Sequence, residues 1–296
     1  MDFKEFTDEL LKEVTGMAGD IFRARIAKNL KNNGVERTAI TATAPQWRGS
    51  PNIYLEEFYE EYKSGDRGIG GIAGKVYRQL MEHVDDLKGV RLDGLRKWDE
   101  ARPRIYAKLI NFENNIELLK WKPYRKFLDL AAVYYVQVEG FKDGGTGAFL
   151  VNDSHMSVWG QTEESLYSAA VQNMRLLGEP VFESMEEILG QMMPEFQPLL
   201  PARMYVLTNR KKIFGAAELL DNGTLKQVSD ELGGDFIVLP SSLHECIILP
   251  VDQTVSYQEL ADIVAGVNIN AVSIEERLSD HVYLYGREEG ALRIVA

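Results

Sequence analysis

Hydrophobic residues recur every three or four positions along much of the first 87 residues, a spacing that places them on one face of a helix. Glycines 16 and 19 and the triplet Asn32-Asn33-Gly34 interrupt this pattern, and Ser64-Gly65 interrupts it again. The pattern predicts helices over residues 3–14, 21–30, 54–63 and 69–87, the first two of them antiparallel. Residues 35–43 lack the helical period and are rich in β-branched side chains, which predicts a strand.

In the middle of the chain, segments with the helical spacing of hydrophobic residues alternate with segments that lack it. Strands are predicted over residues 104–110, 128–138 and 148–151, with a short helix at 114–119 and a turn at 142–145. Thr162-Glu163-Glu164 is typical of a helix start, and the helix it begins is predicted to run to about residue 177.

Prolines 180, 194, 198 and 201 then punctuate the chain around one short helical stretch at 185–192. We therefore predict an N-terminal domain over 1–178, a linker over 179–202 and a C-terminal domain over 203–296. In that last domain the pattern predicts strands at 204–208, 213–219, 236–239, 244–249, 282–285 and 292–295, helices at 225–232 and 257–267, and a basic turn at 209–212.

Hairpins outnumber the possible parallel crossovers in this order of elements, which favours the α+β class. We expect a helical N-terminal region with a mixed sheet, followed by a smaller, largely antiparallel α+β unit.

Composition places the chain among globular proteins, since 45% of its 296 residues are hydrophobic and 26% are charged. No apolar run approaches the ~20 residues of a membrane-spanning helix, and the first residues do not resemble a signal peptide. We therefore expect a cytoplasmic protein that does not enter a membrane. Cys246 is the single cysteine, which excludes an internal disulfide and a multi-cysteine zinc site.

Charge is divided unevenly between the two parts of the chain. Residues 1–126 carry 23 Lys and Arg against 20 Asp and Glu, whereas residues 127–296 carry 10 against 25. The acidic part repels phosphate backbones, so any nucleic-acid contact is expected from the first part. The same division favours docking of the two parts, contact with a protein partner or solubility.

Several stretches together resemble an uncharacterised domain-of-unknown-function family from anaerobic Gram-positive bacteria. They are Ile53-Tyr54-Leu55-Glu56-Glu57-Phe58-Tyr59, Pro123-Tyr124-Arg125, Tyr205-Val206-Leu207-Thr208-Asn209, Gly215-Ala216-Ala217 and Leu239-Pro240-Ser241-Ser242-Leu243-His244-Glu245. The resemblance spans nearly the whole chain and implies a cytoplasmic bacterial protein. It implies no activity and no site residues. The glycine-rich segment 65–74 departs from the family pattern.

That glycine-rich segment superficially resembles a phosphate-binding loop. A P-loop ending in Gly74-Lys75 requires glycine at Ile69 and serine or threonine at Val76, and the chain has neither. The segment is therefore interpreted as the start of a helix.

Ser241, Ser242, His244 and Glu245 supply the side chains of a hydrolase triad within five residues. In an extended chain Ser242 and His244 share one face, while Glu245 points away and cannot orient the imidazole. No Gly-x-Ser-x-Gly elbow is present. A turn between two strands is the alternative interpretation.

Cys246 lies two residues after His244 and could form a Cys-His pair, but the apolar residues 247–249 favour a buried, inert thiol. The other histidines, 83, 155 and 281, are widely separated in the sequence from one another and from Cys246. We therefore predict neither a metal site nor a cofactor.

A basic-aromatic segment runs through residues 120–126. Its cations and aromatics are Lys120, Trp121, Lys122, Tyr124, Arg125 and Lys126. Such side chains can stack on bases and neutralise phosphates. A helix end followed by proline has the same composition, because cations favour the negative end of a helix.

The leading hypothesis from the sequence is a non-catalytic interaction or accessory protein, with a protein partner or self-association. A hydrolase centred on Ser241, Ser242 and His244 is the first alternative, and a nucleic-acid-associated protein using the basic-aromatic segment is the second.

Overall fold

The computed structural model describes residues 1–47, 49–87, 93–139, 147–177, 180–192, 203–251 and 256–296. The chain divides into two compact units. The N-terminal unit consists of residues 1–95 and 137–148, and the C-terminal unit of residues 96–136 and 149–296. The predicted turn at 142–145 lies outside the described residues.

In the N-terminal unit, helices pack on one face of a three-stranded antiparallel sheet of order β1-β2-β3. The elements are α1 (Phe3–Ala18), β1 (Arg23–Leu30), β2 (Glu36–Thr43), β3 (Asn52–Tyr54), α2 (Glu56–Ser64) and α3 (Ile69–Leu87). Phe6, Leu10 and Val14 of α1 are fully buried, together with Ile40 of β2 and Val76 of α3. The hydrophobic stripes of the sequence therefore meet in one core.

The predicted second helix, over residues 21–30, is wrong, because this segment is strand β1. It pairs with β2 in a register that sets Ile26 opposite Ile40. Arg23 and Arg25 are exposed, whereas Ile26 packs against the core. Residues four apart share a face in a strand as well as in a helix, so the spacing of Phe22, Ile26 and Leu30 fits both structures.

The rest of the chain supplies seven helices and ten strands among the described residues. The helices are α4 (Trp98–Ala101), α5 (Ile116–Leu119), α6 (Asp153–Trp159), α7 (Glu163–Met174), α8 (Met185–Met192), α9 (Asn222–Leu232) and α10 (Tyr257–Ala271). The strands are β4 (Ile105–Asn111), β5 (Tyr124–Phe127), β6 (Leu130–Val138), β7 (Gly147–Leu150), β8 (Val181–Ser184), β9 (Tyr205–Thr208), β10 (Phe236–Leu239), β11 (Cys246–Pro250), β12 (Tyr283–Gly286) and β13 (Ala291–Ile294). Short 3₁₀ helices occur at Asn32–Gly34, Asp93–Arg96, Arg102–Arg104, Glu113–Asn115, Arg175–Leu177 and Gly215–Leu220.

The ten strands β4 to β13 form two sheets. Strands β4, β6 and β5 are antiparallel neighbours, β7 pairs with β6, and β6 is almost wholly buried. Helix α7 is held to β4 by the buried amide of Asn173, which donates to the carbonyls of Arg102 and Ile105 at 2.6 and 2.9 Å. The second sheet has six strands in the order β13-β12-β10-β11-β9-β8. The α+β class is therefore confirmed.

Helix α10 covers part of the six-stranded sheet. Leu260 and Val264 of α10 pack against Ile237, Leu239 and Leu284 of the strands. A capping box fixes the start of the helix, because Ser256 and Glu259 satisfy each other's backbone amides. This packing positions the wall of the pocket described below.

The predicted linker contains regular structure where it is described. Strand β8 is an edge strand of the six-stranded sheet and pairs Val181 with Thr208, and α8 follows it as the sequence predicts. Residues 178–179 and 193–202 lie outside the described part of the chain. The compact units do not coincide with the predicted domains, whose limits stay a prediction.

The strand predicted over residues 213–219 is wrong. Gly215–Leu220 is a 3₁₀ helix in which every residue is buried. In the ranges described, no helix combines the length and apolar character needed to cross a membrane.

Candidate functional site

A pocket of about 750 Å³ opens in the C-terminal unit beside α10. Its lining combines apolar side chains with polar ones. The polar side chains are called the polar end below, since His244 contacts both Ser242 and Glu276. The apolar lining residues are Met185, Met204, Leu239, Ile247, Ile263, Val264, Val267, Ala271 and Val272, and the polar ones are Lys212, Ser241, Ser242, His244, Glu245 and Glu276. The four residues predicted as hydrolase candidates therefore lie together in one pocket.

Backbone hydrogen bonds fix the segment 240–245, which connects β10 to β11. The amide of Leu243 donates to the carbonyl of Glu276 at 2.9 Å, and the amide of Leu278 donates to the carbonyl of Ser241 at 3.2 Å. The amide of Ser279 donates to the carbonyl of Pro240 at 2.9 Å. The segment thus joins the loop after α10, and this pairing brings Glu276 to the pocket.

His244 is held from two sides. Its Nδ1 accepts a hydrogen bond from the backbone amide of Phe214 at 3.3 Å, and its ring stacks on that of Phe214 with centroids 5.6 Å apart. Because Nδ1 accepts, the proton of the imidazole lies on Nε2. Nε2 is 3.8 Å from Oε1 of Glu276, so this proton faces a carboxylate.

The turn that supports His244 has an uncommon backbone. Phe214 has φ 54° and ψ 32°, a left-handed conformation that is strained for a bulky side chain. The side chain of Asn209 closes the turn, since it donates to the carbonyl of Ile213 at 2.9 Å. Thr208 Oγ1 donates to the carbonyl of His244 at 2.7 Å. The turn therefore binds both the backbone and the ring of His244.

The surroundings of the Ser242 hydroxyl differ from those of a catalytic nucleophile. Ser242 is buried, and its Oγ accepts a hydrogen bond from the backbone amide of His244 at 3.0 Å. With its proton on Nε2, the imidazole has no lone pair there to accept a serine proton. The acid facing the imidazole is Glu276, not Glu245. The assignment of Ser241, Ser242, His244 and Glu245 as catalytic stays a prediction.

Cys246 begins β11 and is completely buried. Burial raises the pKa of its thiol, and the charge of Glu245 acts in the same direction. A thiol in this environment stays protonated and is a poor nucleophile. Within the described ranges, the His, Cys, Asp and Glu side chains form no group of three or more that could hold a metal ion.

Residues 3–287 match the sequence profile of a family described as "Family of unknown function (DUF5688)". The chain belongs to this family. Comparisons with curated proteins and with solved structures found no match. The predicted membership of a family of unknown function is therefore confirmed, whereas the predicted origin in anaerobic Gram-positive bacteria stays a prediction.

The basic-aromatic segment of this DUF5688 chain is largely engaged in internal contacts. Arg125 forms ion pairs with Glu163, at 2.9 Å, and with Glu164, and its guanidinium stacks on the ring of Tyr167, 3.8 Å from the centroid. Glu163 also accepts a hydrogen bond from Tyr134. These contacts join β5 and β6 to α7. The hydrogen bond to Glu163 does most to raise the pKa of Arg125, so its charge is permanent.

The other cations of the segment also have neighbours. Lys120 pairs with Glu117 at 2.6 Å, and Lys126 lies 4.5 Å from the ring centroid of Phe112. Burial lowers the pKa of Lys122, and the nearby charge of Asp153 opposes the shift. The aromatics Trp121 and Tyr124 are exposed. A nucleic-acid role for the segment stays a prediction that these contacts do not favour.

Sequence reasoning missed a second polar cluster in this DUF5688 chain. Asp129 accepts hydrogen bonds from Ser279, at 2.7 Å, and from the buried Tyr283, and its Oδ2 is 3.2 Å from Nδ1 of His281. Ser279 Oγ also accepts from the backbone amide of His281 at 3.0 Å. The serine therefore donates to the aspartate and not to the histidine, an arrangement that fastens the loop before β12 to the turn after β5.

Glu218, in the 3₁₀ helix Gly215–Leu220, was also missed. Its side chain is almost fully buried and contacts Thr224 Oγ1 at 3.5 Å. Burial raises the pKa of Glu218 to about 7, and the charge of Asp221 adds to the shift. Asp221 is held by Arg175, whose two donors lie 3.0 and 3.3 Å from its carboxylate.

Proposed function

We propose that this protein is a non-catalytic binding protein whose C-terminal pocket takes a small amphipathic ligand. The observation that carries the proposal is the pocket of about 750 Å³, whose lining combines apolar side chains, several of them from α10, with a smaller number of polar ones. Small-molecule sites are concave, predominantly apolar and supplied with a few polar groups that fix orientation. The volume lies within the ~300–1,000 Å³ range of such sites.

The wall formed by α10 supports an apolar ligand body. Ile263 and Val267 line the pocket and are 56% and 45% exposed, although the same helix buries Leu260 and Val264. Covering apolar surface stabilises a complex by about 25 cal/mol per Å². A ligand lying along this wall would bury both side chains without any rearrangement of the core beneath them.

The polar end supports binding more than hydrolysis. Nδ1 of His244 accepts a hydrogen bond from the Phe214 amide, and one lone pair of Ser242 Oγ accepts a hydrogen bond from the His244 amide. These groups can orient a polar ligand atom, whereas a general base requires a free lone pair near the nucleophile. We expect Ser242→Ala to leave any ester hydrolysis by the protein unchanged.

Binding of N-phenyl-1-naphthylamine, a neutral dye that fluoresces in apolar surroundings, tests the proposal. The full-length protein is expected to bind the dye with saturation. Val267→Asp places a carboxylate in the apolar wall and should weaken binding about tenfold or more, because burying an unpaired charge costs more than about 1.4 kcal/mol.

Ile269→Asp is the matched control. Ile269 lies on the same helix, is 69% exposed and does not line the pocket. This variant also introduces an aspartate in place of a β-branched apolar residue of α10, and it should bind the dye like the unaltered protein. Equal weakening in both variants, or no saturable binding by the unaltered protein, contradicts the proposal.

Contact with a protein partner or self-association is also proposed, and the uneven charge of the chain supports it. Light scattering coupled to size-exclusion chromatography tests self-association directly. We further propose a cytoplasmic location in an anaerobic Gram-positive bacterium, on the sequence resemblance alone.

A further inference from the structure

We infer that the ligand of the pocket carries a positively charged, hydrogen-donating end, such as a primary ammonium group on an apolar chain. This inference rests on the proposed function and adds the chemical class of the ligand. It follows from the charges and hydrogen-bonding capacity of the side chains at the polar end.

Two of the side chains at this end are carboxylates, Glu245 and Glu276. Glu276 accepts a hydrogen bond from Ser273 Oγ at 2.9 Å through Oε2, and its side chain is half exposed. A carboxylate has about four lone-pair sites, so Glu276 retains capacity to accept from a ligand. An ammonium group has three donors and no acceptor, which complements these oxygens.

The other groups of the polar end add little positive charge. Nδ1 of His244 accepts the Phe214 amide, so the imidazole in this geometry is the neutral tautomer with its proton on Nε2. Lys212 is the cation that lines the pocket, and it lies exposed in the turn before Phe214. Two carboxylates against one lysine leave the polar end with a negative balance.

The surrounding protein strengthens this preference. Residues 127–296, which include all of the lining residues, carry 10 Lys and Arg against 25 Asp and Glu. The resulting field attracts cations and opposes anions over distances limited by the Debye length, about 8 Å at physiological salt. An anionic amphiphile would fill the apolar wall equally well but would face both carboxylates.

Displacement of bound N-phenyl-1-naphthylamine by decylammonium and by decanoate tests the inference at physiological salt, below the concentrations at which either forms micelles. The two compounds share a chain length and differ in the charge of the end group. Decylammonium is expected to displace the dye at about one tenth of the concentration that decanoate requires, a ratio equal to about 1.4 kcal/mol.

The double variant Glu245→Gln with Glu276→Gln should reduce this preference to less than about threefold, measured as the ratio of the two displacing concentrations on the variant itself. Glu231→Gln removes one exposed acid of α9 outside the pocket and should retain the full preference. If Glu231→Gln and the double variant lose the preference equally, general surface charge explains it and the inference is overturned.

The outcomes separate the two proposals. If the unaltered protein binds the dye but decanoate displaces it as well as decylammonium does, the charge preference fails and the binding function stands. If the dye does not bind with saturation, the binding function itself fails.

Discussion

Gly215→Ala is expected to lower the free energy of unfolding by about 3 kcal/mol, the upper end of the cost of overpacking a core. A β-carbon at this position would lie 2.1 Å from Thr208 Oγ1, 2.5 Å from the carbonyl oxygen of His244 and 2.8 Å from the amide nitrogen of Asn209. Two of these atoms belong to the backbone and cannot rotate away. Urea unfolding of the variant and the unaltered protein measures the difference.

The same substitution should also abolish dye binding in the fraction that stays folded. The displaced atoms include the His244 carbonyl and the turn that donates to the His244 ring, so the polar end of the pocket must shift. Gly234→Ala is the control, because a β-carbon there meets no atom within 4 Å. If the two variants are equally stable, the close approach around Gly215 is not a constraint on this fold.

Glu218→Gln is expected to stabilise the protein by about 3 kcal/mol at pH 8 and to have little effect at pH 5. Burial is the main reason that the pKa of Glu218 is raised, to about 7 from the ordinary 4.5, and the charge of Asp221 contributes. Between these two values the folded state holds a proton that the unfolded chain has released. The unaltered protein therefore loses stability as the pH rises through this interval. The glutamine variant has no proton to release at this position, so its stability does not fall for this reason.

Urea unfolding between pH 5 and pH 8.5 measures this effect as the difference between the variant and the unaltered protein. In this difference the pH dependence from the titratable groups that both proteins share cancels, and most of the contribution of Asp221 cancels with it. Glu231 lies on the exposed face of α9. Its change to glutamine should show a pH-independent difference below about 0.5 kcal/mol, as is usual for surface substitutions. A Glu218→Gln difference that is equally flat with pH means that Glu218 ionises at its ordinary pKa.

The sequence predicts those elements whose hydrophobic period is unambiguous. Helix α3 and the buried strand β6 lie where the pattern places them, within a few residues. For strand β1 the pattern wrongly predicts a helix, because apolar residues four positions apart share a face in both structures. The 3₁₀ helix Gly215–Leu220 was assigned to a strand because its apolar run is short and its close contact with Thr208 and His244 comes from distant parts of the chain.

The site was predictable in part. The sequence indicates a candidate site at residues 241–245, because two serines, a histidine and a glutamate occur within five positions. All four of these residues line the pocket. Glu276 and the wall of α10 reach the pocket only through tertiary pairing, such as the bond from the Leu243 amide to the Glu276 carbonyl. No pattern in the sequence near either residue predicts that pairing.

For the basic-aromatic segment, in contrast, the structure does not favour the binding role that the sequence indicates. Four cations near two aromatics suggested a ligand, but Arg125 is paired with Glu163 and Glu164, which lie far away in the sequence. Composition gives the charge of a segment, whereas only the fold shows which acids have been brought to it.

Methyl chemical-shift mapping on the full-length protein shows whether the pocket beside α10 binds an amphipathic ligand. On addition of decylammonium, we expect saturable shifts of the methyl groups of Ile247, Ile263, Val264 and Val267, which line the pocket. The methyl groups of Ile40 and Val76, in the core of the N-terminal unit, should not move. If the shifts are scattered over both units, or if the pocket-lining methyl groups do not shift, decylammonium does not bind in this pocket.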